Sequence, residues 1–120
     1  MMPNPFGAPE ISVQAVEEKR KAGEQFIWLD VREPQEYTHV HIDDTRVVNV
    51  PLSTLSARQL TALPAAAQDK NAPIIAFCHH GMRSAQVTAW LRQQGWLDVV
   101  NMTGGIDAWA HEIDPSVGTY

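Results

Sequence analysis

The sequence predicts an α/β domain built on one mainly parallel, five-stranded sheet flanked by helices. Short apolar runs alternate with stretches of helical spacing, and no internal repeat or low-complexity linker interrupts them. The length of 120 residues suits one domain that buries roughly two-thirds of its unfolded surface. Strands separated by helices form right-handed crossovers, which bring the strands into one parallel sheet.

The first elements are indicated by capping residues and by apolar continuity. A very short strand is expected at Ile11. Ser12 is typical of a helix N-cap, so a helix is expected from Val13 to about Lys21, with Gly23 at its C-terminal side. The run 26–31 is almost continuously apolar, as expected for a central parallel strand covered on both faces.

Proline and glycine residues divide the rest of the chain into similar units. The predicted elements, in order, are a helix from Pro34 to Tyr37, a strand over 47–50, a helix from Ser53 or Ser56 to Leu63, a loop over 65–73, a strand over 74–77, a helix from Ser84 to about Gln94, a strand over 98–102, a helix bearing Ile106 and Trp109 after Gly104-Gly105, and a loose tail from Pro115.

The only cysteine, Cys78, lies between a predicted strand and a predicted helix. The carboxyl edge of an open parallel sheet is where active sites gather. The helix N-terminus offers unpaired N–H groups and the positive end of the helix dipole, and both favour a thiolate; Arg83 adds a positive charge nearby. The alternative is that Cys78 is only a small buried hydrophobic residue.

The residues after Cys78 predict an anion cradle. Successive backbone N–H groups from His79 to Ser84 would curl around one sulfur, and Gly81 permits the tight turn that this requires. Such a cradle stabilises a thiolate or a persulfide anion. We therefore expect Cys78 to act as a nucleophile in covalent catalysis.

Composition excludes several other classes. Nine Lys and Arg against fourteen Asp and Glu give a net charge of −5, which argues against nucleic-acid binding. A single cysteine forms no internal disulfide, which favours a reducing, cytoplasmic setting. The N-terminal residues 1–5 lack a basic start followed by a long apolar stretch, so we expect neither a signal peptide nor a membrane span.

Four motifs in order resemble those of the single-domain rhodanese family of sulfurtransferases, over nearly the whole chain. They are Asp30-Val31-Arg32 with the following Glu36-Tyr37, Asn49-Val50-Pro51-Leu52, the loop from Cys78 to Ser84, and Thr103-Gly104-Gly105-Ile106 leading to Trp109. One departure is the segment 38–45, which replaces the usual Gly-His-Ile-Pro-Gly-Ala. The resemblance implies a three-layer rhodanese-like domain over 1–120, with its core at about 10–112 and a tail over 113–120.

The resemblance also implies a reaction. Cys78 would take the outer sulfur of thiosulfate or a similar small anionic donor and pass it, through a persulfide, to cyanide or a thiol, including a protein thiol. No cofactor is implied. Arg83 would hold the anionic donor by charge-assisted hydrogen bonds. The substrate-binding residues expected around the sulfur are His79, His80, Gly81, Met82, Arg83 and Ser84.

Other functions stay open as alternatives. A cysteine phosphatase has five residues between its cysteine and arginine, whereas four separate Cys78 from Arg83, and an arsenate reductase usually needs a second thiol. Without a second cysteine, a persulfide must leave to an outside acceptor, so a persulfide carrier or docking module in a sulfur relay is the main alternative. An inert interaction domain is disfavoured by the intact Cys78.

Some side chains within these motifs are expected to have supporting roles. We expect no metal site, because His79 and His80, as neighbours in a tight loop, do not readily converge on one ion, and zinc usually takes four well-spaced ligands. One of the two histidines is instead expected to tune the thiol or the acceptor electrostatically, with the other facing solvent. The alternative for each is that it only fills space in the loop. Asp30 and Arg32 are interpreted as supporting residues: Asp30 would organise the active loop, and Arg32 would meet Glu36 one helical turn later.

Overall fold

A computed structural model describes residues 4–120 of the chain. The first three residues, which are part of the segment expected to carry no signal peptide, lie outside the described residues. The helices and strands are β1 (Glu10–Ile11), α1 (Val13–Lys21), β2 (Ile27–Asp30), α2 (Pro34–His39), β3 (Val47–Asn49), α3 (Leu52–Arg58), β4 (Ile74–Phe77), α4 (Met82–Gln93), β5 (Val99–Met102) and α5 (Gly105–Glu112).

The five strands form one sheet in the order β1-β5-β4-β2-β3, and every neighbouring pair is parallel. The predicted α/β class with a five-stranded parallel sheet is therefore confirmed. β4 lies at the centre, between β5 and β2, and all four of its residues are buried. The chain segment that follows β4 consequently emerges in the middle of the sheet's carboxyl edge.

Alternation along β4 divides the core between the two faces of the sheet. Ile74 and Ala76 pack with residues of α3 and α4, whereas Ile75 and Phe77 pack with residues of α1 and α5. This is the three-layer arrangement. Because successive side chains of a strand point to opposite faces, Cys78 falls on the α4 side. The strand therefore delivers its side chain next to the first turn of α4.

Most element boundaries agree with the prediction within one or two residues. Helix α1 has the predicted bounds, and the Ser12 hydroxyl accepts a hydrogen bond from Ala15 N at 3.1 Å, as an N-cap does. Helix α4 begins at Met82 instead of Ser84. The reason is that Gly81, with φ of +103°, already turns the chain into the helix.

The end of the chain differs from the prediction. The tail from Pro115 was expected to be loose, but it forms a short 3-10 turn over Pro115–Val117 and returns Tyr120 to the carboxyl edge of the sheet. The region after α3 also contains 3-10 turns where the sequence predicted continued helix and loop. Across residues 4–120, no helix is both long and apolar enough to cross a membrane.

Candidate active site

Cys78 is buried, and its sulfur faces hydrogen-bond donors. The N–H groups of Gly81 and Ser84 donate to Cys78 Sγ at 3.2 and 3.4 Å, and the Ser84 hydroxyl donates at 3.3 Å. Met82 and Arg83, at the first two positions of α4, also have N–H groups without acceptors inside the helix. An anionic sulfur accepts such bonds more strongly than a neutral one. The segment from Cys78 to Ser84 is called the Cys78 loop below.

The carbonyl groups of the Cys78 loop are bound on its outer side. Ile106 N donates to Cys78 O at 2.9 Å, and Asp107 N donates to His79 O at 3.1 Å. These donors belong to the first turn of α5, whose free N–H groups need acceptors. With the carbonyl oxygens turned toward α5, the N–H groups of the loop are left to face the sulfur.

Gly105 makes this close approach possible. A Cβ atom at this position would overlap the carbonyl oxygens of Cys78 and His79, and the residue has φ of +63°. Both the contact and the backbone conformation therefore require glycine. The Gly104-Gly105 pair, which was expected only to precede a helix, thus lets α5 dock against the loop.

Asn101 of β5 fixes a third carbonyl. Its Nδ2 donates to Gly81 O at 3.0 Å and to Glu10 Oε2 at 2.6 Å, and the side chain is buried. Thr103 Oγ1 donates to the other Glu10 oxygen at 3.0 Å. Asn101 was not among the residues predicted from the sequence. Its only signal was a polar residue within an apolar strand, which did not indicate a partner.

Asp30 and Arg32 form a buried ion pair beside the loop. Arg32 Nε and Nη2 donate to the two Asp30 oxygens at 2.9 and 2.8 Å, and both side chains are fully buried. Burial opposes the charged form of Arg32, but hydrogen bonds to Asp30 and Tyr120 outweigh it and raise the pKa. Asp30 thus orients Arg32, whereas the sequence predicted that it would organise the active loop.

Arg83 forms a bidentate ion pair with Glu36. Its Nη1 and Nη2 donate to the Glu36 oxygens at 2.7 and 2.9 Å. Hydrogen bonding to Arg83 lowers the pKa of Glu36 to about 2, and the same contact raises the pKa of Arg83. Arg32 was expected to meet Glu36, but its hydrogen bond to that residue goes to the backbone carbonyl oxygen, at 3.2 Å, and not to the carboxylate. The reason is that Asp30 holds the Arg32 side chain in the interior.

Tyr120 closes this network. Its hydroxyl donates to Glu36 Oε1 at 3.1 Å and accepts from Arg32 Nη1 at 3.2 Å. Its ring stacks on His79 with centroids 3.8 Å apart and an interplanar angle of 8°. Burial raises the pKa of the phenol. Tyr120 was not among the residues predicted from the sequence, because nothing in the tail signals a contact with Glu36, 84 positions away.

The histidines lie at the mouth of the loop. The rings of His79 and His80 are 3.8 Å apart and tilted by 30°, so Tyr120, His79 and His80 form one stack. Burial, with a smaller contribution from His80, lowers the pKa of His79, which therefore favours its neutral form. Met82 is also at the mouth, with its side chain exposed.

Asp107 of α5 lies close to the two histidines. One ligand atom from each of His79, His80 and Asp107 falls within 4.8 Å of the others, so the fold brings together more potential metal ligands than the sequence indicated. The His79 and His80 rings are tilted by 30° with centroids 3.8 Å apart, and the Asp107 carboxylate lies 3.7 Å from His80 Nδ1, so the cluster is a ring stack beside a carboxylate.

Comparison with known proteins identifies the family. The family model described as the Rhodanese-like domain matches residues 12–112. The chain belongs to this family. Among solved structures, a rhodanese-related protein from Thermoplasma volcanium is similar to this rhodanese-like domain with a TM-score of 0.70 and 31% identity, covering 88% of this chain and 93% of that one.

Two curated relatives are similar in sequence. The thiosulfate sulfurtransferase GlpE of Pseudomonas aeruginosa is 31% identical over 99 residues, which cover 82% of this chain and 81% of GlpE. The "Probable adenylyltransferase/sulfurtransferase MoeZ" of Mycobacterium tuberculosis is 35% identical over 100 residues. That match covers 82% of this chain but only 24% of MoeZ, so the chain spans about a quarter of that relative's length.

Proposed function

We propose that this rhodanese-like domain is a sulfurtransferase in which Cys78 carries the transferred sulfur as a persulfide. The observation that carries the proposal is the set of three donors at Cys78 Sγ: Gly81 N, Ser84 N and Ser84 Oγ. The names of the relatives GlpE and MoeZ support sulfur transfer in general. Thiosulfate as donor and cyanide as acceptor are the finer part of the proposal.

The first step forms the persulfide. The Cys78 thiolate attacks the outer sulfur of thiosulfate, the S–S bond of the donor breaks, and sulfite leaves with the bonding electron pair. The outer sulfur of the persulfide then carries the negative charge. The free N–H groups of Met82 and Arg83 in the first turn of α4 are suited to stabilise it.

The second step returns the free enzyme. Cyanide or an acceptor thiolate attacks the outer sulfur and leaves as thiocyanate or as a new persulfide, while the electron pair of the broken bond restores the Cys78 thiolate. The chain contains one cysteine, so no internal disulfide can form and the acceptor must come from outside. Two half-reactions on one enzyme give ping-pong kinetics.

Side chains of the loop contribute to donor binding in this proposal. Arg83 uses two N–H groups on Glu36, and its guanidinium has three others that can donate to a bound donor. The pairing with Glu36 is less suited to a phosphatase, which needs its arginine charge directed at the phosphate. Asp30 and Arg32 act as scaffold in this scheme, since their side chains are fully buried.

Mass spectrometry tests the proposal directly. Intact protein treated with thiosulfate should gain the mass of one sulfur atom, and cyanide should remove it with release of thiocyanate. Cys78→Ser should show neither change while its circular dichroism spectrum stays that of the wild type. Sulfur uptake or thiocyanate release by a folded Cys78→Ser protein would rule the mechanism out.

Turnover separates an enzyme from a persulfide carrier. Rapid steady-state turnover with thiosulfate and cyanide supports a true sulfurtransferase. Slow turnover combined with fast transfer from the Cys78 persulfide to one protein thiol supports the carrier. Cys78 as a whole residue is only 1% exposed, so in either case the acceptor must reach the outer sulfur of the persulfide and not Sγ.

A further inference from the structure

The two arginines near the Cys78 loop, Arg32 and Arg83, are each paired with a carboxylate. Arg32 is neutralised by Asp30 in the interior, and Arg83 is neutralised by Glu36 at the rim. Asp107 adds a further carboxylate, 3.7 Å from His80 Nδ1. A donor that enters this mouth therefore meets hydrogen-bond donors and aromatic rings, but not an uncompensated arginine charge.

The Glu36 carboxylate is held firmly enough to keep this pairing. Besides both Arg83 nitrogens, it accepts from Glu33 N at 2.9 Å, in the capping box of α2, and from the Tyr120 hydroxyl at 3.1 Å. These bonds, and not only the arginine, fix its position. Since its pKa is about 2, the carboxylate is ionised at neutral pH.

We propose that Glu36 determines which donors the site accepts: by cancelling the charge of Arg83, it disfavours doubly charged thiosulfate relative to singly charged donors such as persulfides and thiosulfonates. This inference rests on the proposed sulfurtransferase function. The exposed side chain of Met82, 53% accessible at the rim, offers an apolar contact for the organic group that such donors carry.

The effect of donor charge can be tested by comparing two sulfur donors, thiosulfate and methanethiosulfonate. Both present an outer sulfur on a sulfonyl-type group, but methyl replaces one charged oxygen in methanethiosulfonate. When the Cys78 thiolate attacks its outer sulfur, the S–S bond breaks and methanesulfinate leaves with the electron pair. The Cys78 product is the same persulfide from both donors. The leaving groups differ, but they differ equally in every variant, so a change in the ratio of the two kcat/KM values between wild type and variant reports donor recognition.

The test compares this ratio in Glu36→Gln and Arg83→Gln, with Glu24→Gln as the control. Glu24 pairs with Lys19 before β2, at the opposite edge of the sheet, so the control loses the same charge far from the loop. Glu36→Gln should raise the thiosulfate to methanethiosulfonate ratio by roughly threefold to tenfold, as expected for one charge acting across a few ångströms near a surface. Arg83→Gln should lower it.

The effect should shrink as ionic strength rises, because exposed charges are screened. A ratio that stays at the wild-type value in both variants, or that moves in the same direction in both, would overturn the inference about Glu36. The proposed function would still stand in that case, since the persulfide forms. Absence of a Cys78 persulfide with both donors in the wild type would instead contradict the proposed function.

Discussion

The outer side and the rim of the Cys78 loop are built in different ways. On the outer side, backbone carbonyls are bound by N–H groups of α5 and by the amide of Asn101. At the rim, charged and aromatic side chains pair with one another, as in the contact between Arg83 and Glu36. The first arrangement shapes the cradle for any anionic sulfur, whereas the second selects what approaches it.

Substitutions on the outer side and at the rim should therefore affect the reaction with sulfur donors in different ways. Changes on the outer side move the backbone, so they should reduce the reaction with every donor. Changes at the rim alter charge while leaving the backbone in place, so they should change the ranking of donors. Three measurements, taken from the largest expected effect to the smallest, break or sharpen this distinction.

Gly105→Ala should have the largest effect. The added Cβ overlaps the carbonyl oxygens of Cys78 and His79, so the loop must shift. We expect persulfide formation to fall by roughly a hundredfold with both donors, as misplacement of a reacting group does. Rapid mixing and quenching followed by mass spectrometry measures the rate of persulfide formation, and circular dichroism reports whether the fold is kept.

Gly23→Ala is the matched control for this change. Gly23 has φ of +73°, close to that of Gly105, but nothing lies within 4 Å of its added Cβ. It should cost about 1 kcal/mol of stability from backbone strain and leave the rate unchanged. If Gly105→Ala behaves like Gly23→Ala, the close packing of α5 does not shape the loop.

Asn101→Ala should have an intermediate effect. It removes the hydrogen bond to Gly81 O and leaves that buried carbonyl without its partner, at a cost of about 1–3 kcal/mol in unfolding free energy. We expect persulfide formation to slow by roughly tenfold with thiosulfate and methanethiosulfonate alike, because a loosened carbonyl misplaces the Gly81 N–H group. Urea unfolding and the two donor rates measure these effects.

Thr88→Val provides the buried polar control. Within residues 4–120, Thr88 Oγ1 is buried without a hydrogen-bond partner, so a valine of similar shape should be neutral or slightly stabilising. Its sulfur uptake should match the wild type. A selective loss with one donor in Asn101→Ala would contradict the assignment of Asn101 to the shared cradle.

Loss of the ion pair between Arg83 and Glu36 at the rim should have the smallest effect, measured as a pH dependence of the free energy of unfolding. The pKa of Glu36 is lowered from 4.5 to about 2 in the folded state, mainly by Arg83. A lowered pKa stabilises the fold above the unfolded-state value, and this contribution is lost as the pH falls from about 4.5 toward 2. Allowing for solvent screening, we expect about 1 kcal/mol.

The measurement compares urea unfolding of the wild type and Glu36→Gln between roughly pH 6 and pH 2.5, the range over which the folded protein is expected to lose the stabilisation from ionised Glu36. The wild type should be more stable at the upper end, and the two curves should converge as the carboxylate takes up a proton. A constant difference across this range would mean that Glu36 is not the titrating group.

Local signals explain which parts of the fold the sequence predicted well. Ser12 and Gly23 mark the two ends of α1 through contacts within one helical turn, so the predicted bounds of this helix were correct. The apolar run of β4 also fell at the predicted residues. The end of α3 was predicted less well: a helix was expected to reach Leu63, but Gln59, with φ of +55°, ends it and 3-10 turns follow.

The candidate site divides in the same way. The Cys78 loop was found from sequence because its residues are consecutive, and the structure places the N–H groups of Gly81 and Ser84 on the sulfur. The roles of Glu36 and Tyr120 were missed. Glu36 meets Arg83 across 47 positions and Tyr120 across 84, and no local pattern encodes such distances.

The sequence by itself determined the order of strands and helices, the single cysteine at the end of the central strand, and the glycine that turns the chain around it. These follow from propensities and spacing over a few residues. Only the tertiary structure decided that Asn101 binds the Gly81 carbonyl and that Arg83 is neutralised by Glu36. The physical reason is that such contacts depend on which elements become neighbours in space. The spatial order of the strands in the sheet differs from their order along the chain and is set by the packing of the whole chain.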